Sequence, residues 1–132
     1  MSYKALILLS ETSPASIEEA ENKLKNLFAD DERDVSVTTS ERDEIQVSIE
    51  GWNARVHLNS DDYVIEESEE MANNFAAHLV EKEEIARSPR RFEVACDEDP
   101  EMSFFNDYLS IIQELGAFEG AYVWEQAQQE FI

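Results

Sequence analysis

The segment VSVTTSERDEIQVSIEGWNARVHL, residues 35–58, decides the fold class of this chain. Apolar and polar residues alternate in three successive runs, which is the period of a β-strand with one buried and one solvated face. Polar residues separate the runs near residues 40–44 and again at residues 50–53, where Gly51 favours a turn. The pattern therefore predicts a three-stranded antiparallel meander.

The segments on either side of the meander predict one further strand and two helices. Residues 3–9, YKALILL, form a continuous apolar run, which is typical of a buried central strand. Residues 14–29 repeat apolar side chains at helical spacing, and Ser13 before Pro14 predicts the N-cap. Residues 60–87 carry the longest helical pattern, which should end before Pro89.

The last third of the chain repeats the strand–helix–strand pattern. Residues 91–96 alternate as a strand, and residues 120–124 predict the final one. Between them, Asp99 and Pro100 predict the start of a helix, and Gly116 predicts its end in the left-handed conformation. The predicted order is β-α-β-β-β-α-β-α-β.

Length and composition indicate one domain over residues 1–132. Hydrophobic residues make up 42% of the chain, enough to fill one core. We therefore predict an α+β fold: a single-layer, largely antiparallel sheet with helices packed on one face.

Charge is the strongest constraint on function. The chain has 31 Asp and Glu against 10 Lys and Arg, a formal net charge of −21. This balance argues against nucleic acid and anionic membranes as partners, and it favours a basic protein surface. Adaptation to high salt, or solubility alone, would also account for it.

Compartment and cofactor expectations follow from what the sequence lacks. No stretch approaches the roughly 20 apolar residues of a membrane span. A single cysteine, Cys96, excludes an intrachain disulfide and fits a reducing cytoplasm. The sequence has no Gly-rich phosphate loop, no Gly-x-Ser-x-Gly and no Cys-x-x-Cys, so we predict no cofactor and lean against an enzyme.

Glutamates of the long predicted helix are the leading candidates for partner binding. They form two Glu-x-x-Glu pairs and one neighbour: Glu67 with Glu70, Glu81 with Glu84, and Glu66. Trp52 joins them as a candidate anchor if it is exposed, because Trp is favoured at binding hot spots. If Trp52 folds back, it covers the sheet instead; the sequence leaves both open.

The same glutamate pairs permit a second class of function. Carboxylates three residues apart share one face of a helix and can hold Mg²⁺, as in a small metal-dependent hydrolase. Such a site needs pairs on facing helices, whereas here both fall on one predicted helix. We therefore predict no metal site, and the hydrolase stays an alternative.

A second polar group surrounds the last predicted helix. Its members are candidates for a recognition site, or else ordinary surface and ion-pairing residues: Arg91, Asp99, Asn106, Asp107 and Tyr108.

Together these features favour a non-catalytic protein-binding domain. The most concrete form is an immunity-type or inhibitor protein that docks on a basic partner through an acidic face, with mimicry of DNA as a sub-case. The alternatives are the metal-dependent hydrolase and a regulatory or assembly domain that forms a homodimer through a free strand edge.

Overall fold

A computed structural model describes residues 2–132, and its seven strands form one open antiparallel sheet. The strands are β1 (Lys4–Leu9), β2 (Val35–Thr39), β3 (Glu44–Ile49), β4 (Trp52–Asn59), β5 (Arg90–Cys96), β6 (Ala121–Glu125) and β7 (Glu130–Phe131). Their order across the sheet is β2-β3-β4-β5-β1-β6-β7. The predicted meander corresponds to β2–β4, and the α+β class is confirmed.

Four helices connect the strands within residues 2–132. They are α1 (Ile17–Leu27), α2 (Tyr63–Phe75), α3 (Lys82–Ala86) and α4 (Phe105–Gly116). The predicted N-cap of α1 was wrong: Ser16 caps the helix, and its Oγ accepts a hydrogen bond from the Glu19 N–H at 3.2 Å. Ser13 instead accepts from the Ala15 N–H, while its own carbonyl accepts from Arg90, so this segment belongs to a loop fastened to β5.

The single long helix predicted over residues 60–87 is divided by a turn. A straight helix would carry Ile85 about 20 Å along its axis from Ala72. In the structure both side chains belong to one buried cluster, which requires the chain to turn back between α2 and α3. Ser68 secures this arrangement, because its hydroxyl donates to the Ser88 carbonyl at 2.8 Å.

The sheet has an apolar core on each face. The larger core lies against α1 and α4, and the smaller one contains Leu8, Ala72, Ala76 and Ile85. The predicted packing on one face therefore holds for α1 and α4, whereas α2 and α3 lie on the opposite face. The reason is the apolar run of β1, which presents Ile7 to the first core and Leu8 to the second.

Gly116 has a different role from the one predicted. It is the last residue of α4, and its φ is not positive. A Cβ at this position would lie 2.5 Å from Cγ2 of Val123. Glycine is therefore required by the close approach of α4 to β6 and not by a left-handed helix end.

Candidate functional site

The exposed carboxylates of α2 and α3 form what we call the acidic surface. Val64, Ser68 and Ala72 are the buried residues of α2, and Glu66, Glu69 and Glu70 between them are exposed. The acidic surface comprises six exposed side chains: Glu66, Glu69, Glu70, Glu81, Glu83 and Glu84. None of them takes part in the ion pairs found between residues 2 and 132.

Glu67 differs from these neighbours because it is committed to an internal ion pair. Its Oε1 lies 2.7 Å from Nη1 of Arg91, whose Nε lies 2.8 Å from Glu93. Arg91 is only 7% exposed. Burial alone would lower the pKa of Arg91, but its hydrogen bonds to Glu93 and Glu67 outweigh burial and raise that pKa. Glu67 and Arg91 therefore hold α2 to β5, and Arg91 serves as an internal counter-ion.

Trp52 is the second predicted partner-binding residue that the structure places elsewhere. It is 5% exposed, and its indole stacks on Phe104 with ring centroids 5.0 Å apart. Its Nε1 donates to the Asp97 carbonyl at 3.1 Å. Of the two alternatives, the structure shows the one in which Trp52 folds back over the sheet.

The predicted polar group around α4 does not come together as one site. Asp107 bonds Arg33 through contacts of 2.7 and 2.9 Å on the α4 side of the sheet, whereas Arg91 faces α2. Arg33 also binds both carboxylate oxygens of Asp31, and this hydrogen bonding lowers the pKa of Asp31 to about 2. Asn106 is exposed on the first turn of α4.

Asp99 organises the turn before α4 and does not cap the helix itself. It accepts from the Ser103 and Phe104 N–H groups at 3.0 and 2.9 Å, and from the Tyr3 hydroxyl at 2.6 Å. Burial raises the pKa of Tyr3 to about 12, and its hydrogen bond to Asp99 adds to the shift. Asp99 thus joins the loop after β5 to the start of β1.

A cleft that the sequence did not reveal lies between the start of β1, α4 and the β6–β7 hairpin. Its volume is about 480 Å³, within the range of about 300–1,000 Å³ typical of ligand pockets. Three aromatic rings line it. Tyr3 stacks on Tyr108 at 4.8 Å between centroids, and Phe105 meets Tyr3 edge-on at 5.4 Å.

A buried carboxylate, Glu125, lines the same cleft and is 6% exposed. The Tyr108 hydroxyl lies 2.9 Å from Glu125 Oε2 and 3.0 Å from the Lys4 carbonyl, and the Gln128 N–H donates to Oε1 at 3.0 Å. Burial raises the pKa of Tyr108, and the bond to Glu125 raises it further. The alternation of β6 places Glu125 on the same face of the sheet as the buried Val123. The sequence could have shown this, but the predicted strand ended at residue 124.

The single cysteine, Cys96, is a free and buried thiol. Burial raises the pKa of Cys96 to about 12, with a further contribution from Asp97, so the thiol stays protonated near neutral pH. Among residues 2–132, no three His, Cys, Asp or Glu side chains are grouped so as to hold a metal ion. The part of the chain that the structure describes also contains no helix long and apolar enough to cross a membrane.

Comparison with known proteins supplies no relative. The chain matches no protein-family model, no curated protein and no solved structure.

The charge excess leads to a prediction for stability. Self-repulsion among 31 acidic side chains opposes the compact state and is screened by salt. We expect the melting temperature to rise between low and moderate salt, as followed by circular dichroism. Sodium and potassium chloride should act alike, which would separate screening from binding of a particular ion. A melting temperature that stays flat or falls would contradict the expectation.

Proposed function

We propose that the protein is a non-catalytic binding domain that docks on a basic protein surface through the acidic surface. The most concrete form is an inhibitor or immunity-type protein that neutralises a cationic partner. The observation that carries the proposal is the group of six exposed glutamates on α2, on α3 and directly before α3, with no Lys or Arg of residues 2–132 in ion-pair contact. Unpaired charge of one sign on adjacent elements steers a partner of opposite charge and selects against others.

The distribution of the basic side chains supports this assignment. Arg33, Arg55 and Arg91 each form ion pairs with carboxylates outside the acidic surface. These three arginines are therefore engaged elsewhere, and the six glutamates outnumber the two cations beside them, Lys82 in α3 and Arg87 directly after it.

An apolar contact lies within the same region. Val80, in the turn between α2 and α3, is 95% exposed and directly precedes Glu81. Interfaces combine an apolar centre with a charged rim, and Val80 beside these glutamates offers both.

The test is the association of the full chain with its partner. We would immobilise the protein, retain basic proteins of its native host at low salt, and measure the association rate constant of the retained partner by surface plasmon resonance. Replacing Glu66, Glu70, Glu81 and Glu84 by Gln should lower that rate constant about tenfold or more at low salt, because steering depends on local charge.

A matched variant separates local from overall charge. It replaces four exposed acids away from α2 and α3, Glu18, Glu19, Glu32 and Glu41, by the corresponding amides. It changes the net charge equally and should lower the rate constant much less. Equal losses in both variants, or failure to retain any basic protein at low salt, would overturn the proposal.

A further inference from the structure

Glu125 is a buried carboxylate that no side chain of residues 2–132 balances in an ion pair. None of the ion pairs between residues 2 and 132 includes it, and its two hydrogen bonds come from neutral donors, Tyr108 and Gln128. A carboxylate offers about four acceptor positions, so about two remain unused. Burying a charge is costly unless it is paired, which makes a cationic ligand the natural complement of this position.

The walls of the cleft suit an organic cation better than a metal ion. Tyr3, Phe105 and Tyr108 place ring faces and edges around the cavity, and aromatic faces attract ammonium groups within about 6 Å. Leu109 adds an aliphatic surface for a hydrocarbon chain. Calcium would require about six to eight oxygen ligands, and Glu125 is the only acidic side chain lining this cavity among residues 2–132.

We propose that this cleft binds a primary alkylammonium group, which donates to Glu125 while its alkyl chain lies against Phe105 and Leu109. The group belongs either to a free amine or to a lysine side chain. A charge-assisted hydrogen bond to the buried Glu125 supplies the affinity, and the aromatic rings select for the cation. The inference does not depend on the acidic surface, because the cleft lies on the α4 side of the sheet and the acidic surface on the other.

The test uses the full-length protein, labelled with ¹⁵N, and three probes at constant ionic strength. These are n-pentylammonium chloride, the neutral analogue n-pentanol, and lysine blocked at both its amino and carboxyl termini. We expect n-pentylammonium to shift the Gln128 amide signal with an affinity in the millimolar range, as suits so small a ligand, and n-pentanol to bind at least several-fold more weakly. Tighter binding of blocked lysine than of pentylammonium would indicate a lysine side chain as the ligand, and the reverse order would indicate a free amine.

Two substitutions on the β6–β7 hairpin form a matched pair, in which Glu125→Gln is the test and Glu130→Gln is its control. Glu125→Gln keeps the shape of the side chain but removes its charge, and it should weaken ammonium binding about tenfold or more. Glu130→Gln makes the same change of net charge at an exposed position that pairs with Glu125 across β6 and β7, and it should have little effect. Phe105→Leu removes an aromatic wall and leaves Glu125 in place, so it tests the cleft even if Glu125→Gln disturbs folding.

Three results would overturn the proposal. Equal binding of n-pentanol and n-pentylammonium would show a merely apolar cavity. Equal weakening by the substitutions at Glu125 and Glu130 would show diffuse attraction. Absence of any shift at Gln128 with either amine would show that the cleft takes no ammonium group. Each is independent of the acidic surface, whose four-residue variant should leave ammonium binding in the cleft unchanged.

Discussion

Replacing Trp52 by alanine is expected to lower the free energy of unfolding by about 3–5 kcal/mol, the usual loss for a large aromatic side chain deleted from a core. The indole is 5% exposed, stacks on Phe104 and donates to the Asp97 carbonyl. The substitution removes all three contributions and leaves a cavity beneath the loop that follows β5. Chemical denaturation, followed by the fluorescence of Trp124, measures the loss.

Val80→Ala is the matched control for Trp52→Ala. It also truncates an apolar side chain, but one that is 95% exposed, so its effect should stay within about 0.5 kcal/mol. If Trp52→Ala left stability unchanged and weakened a complex instead, the indole would be a binding anchor and the packing described here would be wrong.

Leu8→Ala is expected to lower the free energy of unfolding by about 2–5 kcal/mol. Leu8 is fully buried on the face of the sheet that α2 and α3 cover. The remaining fully buried members of that cluster are Ala72, Ala76 and Ile85, so one large side chain from the sheet meets mostly small ones from the helices. Deleting it removes the fully buried side chain that the sheet contributes to this cluster, and leaves the partly buried Leu6, Tyr122 and Phe131.

Hydrogen exchange would locate the effect of Leu8→Ala. Amides of α2 should lose more protection than those of α4, which packs on the other face. Leu6→Ala is the control, since Leu6 is only partly buried against the same cluster and should cost less. A loss below about 1 kcal/mol for Leu8→Ala, or equal loss of protection in α2 and α4, would contradict the two-sided packing.

Local patterns predicted most of the fold because each was supported by burial. Alternation in residues 35–58 corresponds to β2–β4, and the apolar run at residues 3–9 corresponds to the central strand β1. The same run also implied a second core, because a strand with apolar side chains on both faces must be covered on both faces. The turn between α2 and α3 was missed because the apolar stripe was followed as one helix over residues 60–87, whereas the shared cluster of Ala72 and Ile85 requires the chain to fold back.

The candidate sites were less predictable, because they depend on distant contacts. Helix phase places Glu67 nearer the buried stripe of α2 than Glu66 or Glu70, but the sequence does not show that Arg91 of β5 lies opposite it and forms an ion pair. The cleft is assembled from the start of the chain, α4 and the last hairpin, which lie far apart in sequence. Glu125 is one acid among 31, and it was missed because the predicted strand ended one residue before it.

The central position of β1 has a consequence for biosynthesis. β1 is made first, yet its neighbours are β5 and β6, and Ile7 pairs with Phe92 on one side and Val123 on the other. At about 5–20 residues per second, the ribosome needs several seconds to deliver the first of these partners. During that interval the apolar strand β1 has no partner strand to pair with. Unpaired apolar segments of nascent chains tend to aggregate or to recruit chaperones. The meander β2–β4 can form meanwhile from local contacts, so the centre of the sheet would be its last part to close.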